Sequence, residues 1–179
     1  YDHKVNGWDD PRMPTLVGLR RRGYTPESLR LLADRAGTSK AGGWTDYSVL
    51  EACLRESLEE VAPRAMAVLD PVKLVITNWD AVMGKTPAGD AVLDACSAPV
   101  HPHRAEMGRR SFKMGADVWI ERSDFEETPP KGFFRLFPGN RVRLKYGHVI
   151  ECTGCAKDAD GRVTSVHAKL IPDTKSGTP

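Results

Sequence analysis

Between positions 131 and 145 the chain reads KGFFRLFPGNRVRLK, placing Lys131, Arg135, Arg141, Arg143 and Lys145 together with no acidic residue among them. Clustered ammonium and guanidinium groups concentrate positive potential. This stretch can therefore draw a phosphate-bearing partner although the whole chain carries a formal charge of only +2. Phe133 and Phe134 interrupt the cations and are expected to pack as core and rim of the surrounding fold. A second basic run, Arg20-Arg21-Arg22, cannot occupy one face of a helix, whose residues advance by about 100° each. At least one of the three must point away from the others. Cys152-Thr-Gly-Cys155 raises the possibility of zinc. In a regular strand, however, positions three apart face opposite sides and would not converge on a metal. No second C-x-x-C exists, and His101-Pro102-His103 lacks a clear ligand partner, so reduced thiols and no metal site are expected.

The elements that must hold these residues follow from periodicity and punctuation. Up to about residue 63 the pattern is helical. Asp9, Asp10, Pro11 and Pro14 make a rigid turn ahead of a short basic helix. Thr25-Pro26-Glu27-Ser28 starts the next helix, with Leu29, Leu32 and Ala33 on its apolar face and Gly37 as its stop. Asp46 is expected to cap a further helix carrying Val49, Leu50, Cys53, Leu54 and Leu58, which Pro63 ends. Beyond this point the pattern is β. Ala65 to Leu69 and Leu74 to Ile76 read as strands joined by a turn at Asp70-Pro71. Residues 117–122, 141–146, 148–156 and 163–171 complete the strand set, with Asp158-Ala-Asp-Gly161 as a hairpin turn. Residues 79–110 read as a long irregular loop, and such loops are more often functional than idle. His148 and His167 lie on strand patterns with no recognisable catalytic partner.

At 179 residues, with 40% hydrophobic and 28% charged residues, the chain has the composition of an ordinary globular protein able to bury a core. No apolar run approaches the roughly 20 residues that span a bilayer, and no signal-peptide pattern opens the sequence. The cytoplasm is the expected compartment.

Gly7-Trp8-Asp9-Asp10-Pro11-Arg12-Met13-Pro14-Thr15, followed by Leu19-Arg20-Arg21-Arg22-Gly23-Tyr24-Thr25-Pro26-Glu27-Ser28, resembles the segment behind the catalytic fold of class I glutaminyl- and eukaryote-type glutamyl-tRNA synthetases. Pro63-Arg64-Ala65-Met66-Ala67-Val68-Leu69-Asp70-Pro71-Val72-Lys73-Leu74-Val75-Ile76 is similar to the entry of that family's anticodon-binding barrel. His101-Pro102, Glu106-Met107-Gly108 and Trp119-Ile120-Glu121-Arg122-Ser123-Asp124-Phe125 follow in the family's order. The wording of residues 19–24 and 67–73 resembles the bacterial glutaminyl branch. The HIGH-type and KMSKS-type motifs that activate the amino acid in this class do not occur here, nor does a Gly-rich phosphate loop.

The resemblance implies an α+β architecture: a helical connector over residues 1–63, then a small antiparallel anticodon-binding β-barrel over residues 64–179, incomplete at its C-terminus. It implies the tRNA-binding, anticodon-reading part of a monomeric enzyme that joins glutamine to tRNA(Gln) using ATP and Mg²⁺. The segment itself would have no catalytic residue and no cofactor. Arg64, Arg135 and Arg143 match positions where the family places base- or phosphate-binding arginines. Lys145 stands where arginine is common, keeping the charge without the bidentate fork. Lys40 matches a lysine that approaches the tRNA elbow, and Arg110 completes the tRNA-binding set. Gly132 and His103 stand where the bacterial family often has amide side chains, a departure from its pattern. Taken as residues alone, Arg64 could equally satisfy carbonyls at a helix end, and Arg143 could be a solvent-facing strand charge. Trp8 and Trp119 are expected in the core. Two alternative functions are a fragment of a glutamyl-tRNA synthetase and a standalone RNA-binding barrel. The connector-like Gly7–Gly23 string argues against the latter.

Overall fold

A computed structural model describes residues 4–38 and 42–177. The chain falls into two compact units, Tyr1–Pro63 and Arg64–Pro179.

The first unit is helical: α1 (Leu16–Arg22), α2 (Pro26–Ala36) and α3 (Tyr47–Glu59). Each helix begins where a side chain can satisfy an otherwise orphaned N–H. Thr15 accepts from Gly18, Thr25 from Ser28 and Asp46 from Ser48. The turn before α1 is organised by Asp10, only 3% exposed, whose carboxylate accepts from the Asn6 and Arg12 N–H groups and from the Arg12 guanidinium at 2.7–2.9 Å. Arg12 and these backbone donors hold the Asp10 carboxyl far below the usual aspartate range. Gly18 is required by this turn, because a Cβ there would lie 2.4 Å from the Met13 carbonyl oxygen and 2.6 Å from that of Asp10. Leu19, Tyr24 and Leu50 form a small core, flanked by Leu29, Leu32 and Leu54. Two expectations fail here. Ala33 is exposed while Ser28 is fully buried, its hydroxyl donating to the Thr25 carbonyl. Trp8 is 79% exposed and so is no part of this unit's core.

The second unit is built on a five-stranded sheet. Its strands are β1 (Pro71–Ile76), β4 (Asp117–Glu121), β5 (Arg141–Arg143), β6 (Val149–Lys157) and β7 (Val163–Leu170), in the spatial order β4-β1-β7-β6-β5. All neighbours are antiparallel except β1 and β7, which run parallel. The sheet curls into a half-barrel, and β2 (Asp94–Pro99) and β3 (Arg109–Met114) form a separate antiparallel ribbon. Short helix α4 (Trp79–Met83) follows β1. Alternation along β1 sends Val72, Leu74 and Ile76 into a core shared with Trp79, Ile150, Val166, Ala168 and Leu170. The Asn78 amide closes one end, donating to the Leu170 carbonyl at 3.0 Å and accepting from its N–H at 2.7 Å. The turn at Asp158–Gly161 joins β6 to β7, with the Asp158 side chain accepting from the Arg162 N–H.

Several strand expectations are corrected. Residues 65–69 pair with no strand. Met66 and Leu69 are exposed, and the Glu121 carboxylate takes the Leu69 and Asp70 N–H groups, turning the chain into β1. Residues 79–110 are not an irregular loop, since they contain α4, β2 and the start of β3. The strand expected over 141–146 stops at Arg143, because Tyr146 takes a positive φ of 62° in a tight turn where the Gly147 N–H donates to the Leu144 carbonyl. The cysteine argument also fails in its geometry. A bulge between Cys152 and Gly154 sets Cys152 opposite Ala168 and Cys155 opposite Val166, so both thiols lie on the core face. Burial pushes both thiols up, which opposes the thiolate form that zinc requires. His148 takes a structural partner. Its Nε2 lies 3.0 Å from the Asp94 carboxylate, which also accepts from Lys175 at 2.8 Å. Burial works to raise Asp94, but the Lys175 and His148 hydrogen bonds outweigh it and leave the carboxyl lowered. Asp94 thereby ties β2 both to the start of β6 through His148 and to Lys175 near the end of the described residues, a structural bridge.

Candidate nucleic-acid interface

The segment between β4 and β5 is anchored in the core by Phe125 and Leu136. Leu136 is 3% exposed; its N–H donates to the Asp124 carbonyl, and its own carbonyl accepts from Glu126. With Leu136 pinned inward, its neighbours Phe134 and Arg135 are left at the surface. Asn140 fixes the other end: its amide donates to the Arg135 carbonyl at 2.7 Å, and its own carbonyl accepts from the Cys152 N–H at 2.9 Å. The Arg135 guanidinium is paired with the Asp124 carboxylate. Arg143, on β5, donates to the Thr174 carbonyl at 2.5 Å. Lys145 sits in the turn after β5, its amine 5.7 Å from the Tyr146 ring centroid.

Arg135, Arg143 and Lys145 line one cavity of about 380 Å³ together with Trp119, Phe134 and Met66. Two carboxylates also border it, and both are engaged: Asp124 with Arg135, and Glu121 with the Leu69 and Asp70 N–H groups. Among the described residues, Arg143 and Lys145 have no carboxylate partner. The cavity thus combines cations able to meet phosphate or base edges with an apolar floor and walls, the combination that suits splayed single-stranded bases.

The other sequence-derived candidates do not meet there. Arg64 is half-buried, with its N–H donating to the Val100 carbonyl at 2.7 Å. Arg110, on β3 opposite Ala98, lays its guanidinium 5.8 Å from the Phe112 ring centroid. Lys40 lies outside the described residues. Four residues of the site were not singled out for it by sequence. Trp119 is 59% and Phe134 89% exposed, against the expectation of core or rim packing, whereas Phe133 is half-buried. Asp124, at the end of a short 3-10 turn, and Asn140, just before β5, hold Arg135 in place through contacts that no periodicity reveals. The only available hint was an aromatic pair directly before an arginine, between Pro129-Pro130 and Gly139.

No group of three or more His, Cys, Asp or Glu side chains among the described residues is arranged to hold a metal ion. No helix among them is long and apolar enough to cross a membrane.

Comparison with known proteins gives this geometry a context. Residues 62–171 match the family model described as tRNA synthetases class I (E and Q), anti-codon binding domain. Residues 1–60 match the model of the catalytic domain of the same class. The glutamine–tRNA ligase of Ralstonia nicotianae is 62% identical over 178 residues, covering 99% of this chain and 29% of that protein. That of Cupriavidus metallidurans is 60% identical over the same span, again 29% of its length. That of Bordetella pertussis is 57% identical over 175 residues, 98% of this chain and 28% of the relative. The chain therefore spans less than a third of the curated relatives it matches. By its match over residues 62–171 to the anticodon-binding model, the chain belongs to the class I tRNA synthetase family of the glutamate and glutamine type.

Proposed function

We propose that this chain is the tRNA-binding, anticodon-recognising segment of a glutamine–tRNA ligase, the enzyme that attaches glutamine to tRNA(Gln) with ATP. The observation that carries the reading is the convergence of Arg135, Arg143 and Lys145 on one aromatic-lined cavity, within the residues matched to an anticodon-binding domain. In this reading residues 64–179 are the proximal anticodon barrel, and residues 1–63 are the helical connector that ends the catalytic region and leads into it. Arg64 and Arg110 supply further RNA contacts, and Lys40 meets the tRNA elbow. ATP, Mg²⁺ and glutamine belong to the parts of the enzyme beyond these residues. No chemical step is assigned to the present side chains. The cytoplasm, where translation consumes charged tRNA, is the compartment this reading entails, and the enzyme is a monomer in it.

The test is binding of the chain to the tRNA(Gln) anticodon stem-loop and to a duplex of equal length. The stem-loop should bind more tightly, with affinity falling steeply as salt rises because phosphate contacts release counterions. Arg135→Ala and Arg143→Ala should each cost about 1–3 kcal/mol of stem-loop affinity, the usual worth of a good base contact. Equal affinity for loop and duplex at physiological salt would reduce the cavity to a nonspecific basic surface.

A further inference from the structure

We propose that Phe134 and Trp119 form a stacking platform for one unstacked base of a single-stranded RNA loop, with Lys145 taking a flanking phosphate. The proposal rests on the tRNA-binding reading and adds to it the residues that hold the base by its face. Both aromatics open onto the same cavity as the cations, at 89% and 59% exposure. Their exposure is built in. Phe134 lies between half-buried Phe133, whose N–H donates to the Pro130 carbonyl at 3.1 Å, and buried Leu136, so the segment is held on both sides while the ring stays out. Trp119 sits on β4 opposite Lys73, on the sheet face away from the core-packing Val118 and Ile120. Met66, 62% exposed, extends the same apolar surface. Single exposed hydrophobics are ordinary, but a shared patch of this kind marks a binding surface.

Charge selects the occupant. An apolar protein segment laid across the cavity would bury Arg143 and Lys145 without counter-charge, at a desolvation cost nothing there offsets. A nucleotide brings an apolar base face and a phosphate together, matching both halves of the site. Stacking accepts any base, because every base has a π-face. The platform therefore supplies affinity at one loop position, while discrimination is left to the arginines.

The experiment uses the whole chain and a series of anticodon stem-loops in which each loop nucleotide in turn is abasic. Phe134→Leu should weaken binding of the intact loop about tenfold, in the range measured for base–aromatic stacking. That loss should vanish when one particular loop position is abasic. Trp119→Leu should lose its effect at the same position, and Phe134→Tyr should restore wild-type binding. Melting temperatures should not move for Phe134 variants, because so exposed a ring contributes little to packing. The platform is wrong if Phe134→Leu costs nothing, or costs the same for every abasic loop, while the unaltered chain still prefers loop over duplex. In that case the tRNA-binding reading survives. If the unaltered chain shows no such preference, that reading falls and the platform with it. A dimer in sedimentation equilibrium that Phe134→Asp dissolves would assign the surface to a second copy of the chain and also overturn the proposal.

Discussion

The helical unit and the sheet unit both carry many arginines, and they use them differently. Before α1 and along it, Arg12 is bound to Asp10, Arg21 to the Asp9 carboxylate at 2.8 Å, and Arg22 to the Tyr47 hydroxyl while lying over the Tyr24 ring. Arg35 reaches Glu56 at 2.5 Å. These cations build the fold of their own unit. At the cavity of the sheet unit, Arg143 and Lys145 stand instead beside exposed aromatics and have no carboxylate partner. A run of arginines in a sequence is therefore a poor marker of a site. What distinguishes the cavity is cations left without counter-charge next to apolar surface left without cover.

The units differ as much in what stabilises them. Thirteen buried residues make up the core of the sheet unit, against three in the helical cluster, so the smaller unit depends on caps and on one ionised turn. The sharpest way to break this comparison is to cut into both cores. Leu74→Ala, at a fully buried position of β1, should cost about 2–5 kcal/mol. Of the four tryptophans only Trp79 is buried, so its emission during urea unfolding reports the change. Leu50→Ala, in the small helical core, should cost distinctly less because water reaches the space it leaves. Equal losses would refute the contrast.

A second expected effect isolates the turn before α1. Gly18→Ala forces a methyl against two backbone carbonyls that cannot swing aside, a cost of about 1–3 kcal/mol. Helical circular dichroism at 222 nm should report it, since α1, α2 and α3 supply most of the molecule's helix. An unchanged melting curve at that wavelength would mean the turn relaxes without cost.

The smallest effect is electrostatic and carries a definite sign. The Asp10 carboxyl is lowered in the folded chain, so its contribution is fully present above the ordinary aspartate value of 3.8 and is lost as pH falls below it toward the folded value. Asp46, lowered by its Ser48 cap, acts in the same direction. Acid titration of the helical signal should therefore show a loss of stability in that window. Asp10→Asn should be less stable at neutral pH and flatter across the acid range. A variant with the same acid slope as the unaltered chain would remove Asp10 from the account.

Local chemistry was legible from the residue string. Thr25-Pro26 and Asp46 start helices because a side-chain oxygen and a fixed φ act within four residues, and Asp158–Gly161 turns a hairpin by the same short-range logic. The helices-then-strands order and the separated motifs of the synthetase family were equally readable, since both are written in consecutive residues. Long-range pairing was not. Asp94–Pro99 is made of small residues with no β-branched side chain, and it becomes a strand only because Arg109–Met114 lies beside it. Ala65–Leu69 has the apolar content of a strand yet finds no partner. One extra residue in β6 reverses the facing of Cys155, an outcome that strict two-residue alternation cannot show. Trp119 and Phe134 are apolar by type and exposed by position, because Leu136 and Val118 take the inward places beside them. The convergence of Arg135, Arg143 and Lys145 likewise needs the curl of the sheet, which brings edge strands β4 and β5 to one cavity. Which side chains are inward is settled by the competition among neighbours for a limited core, and that competition is decided only when the chain is folded.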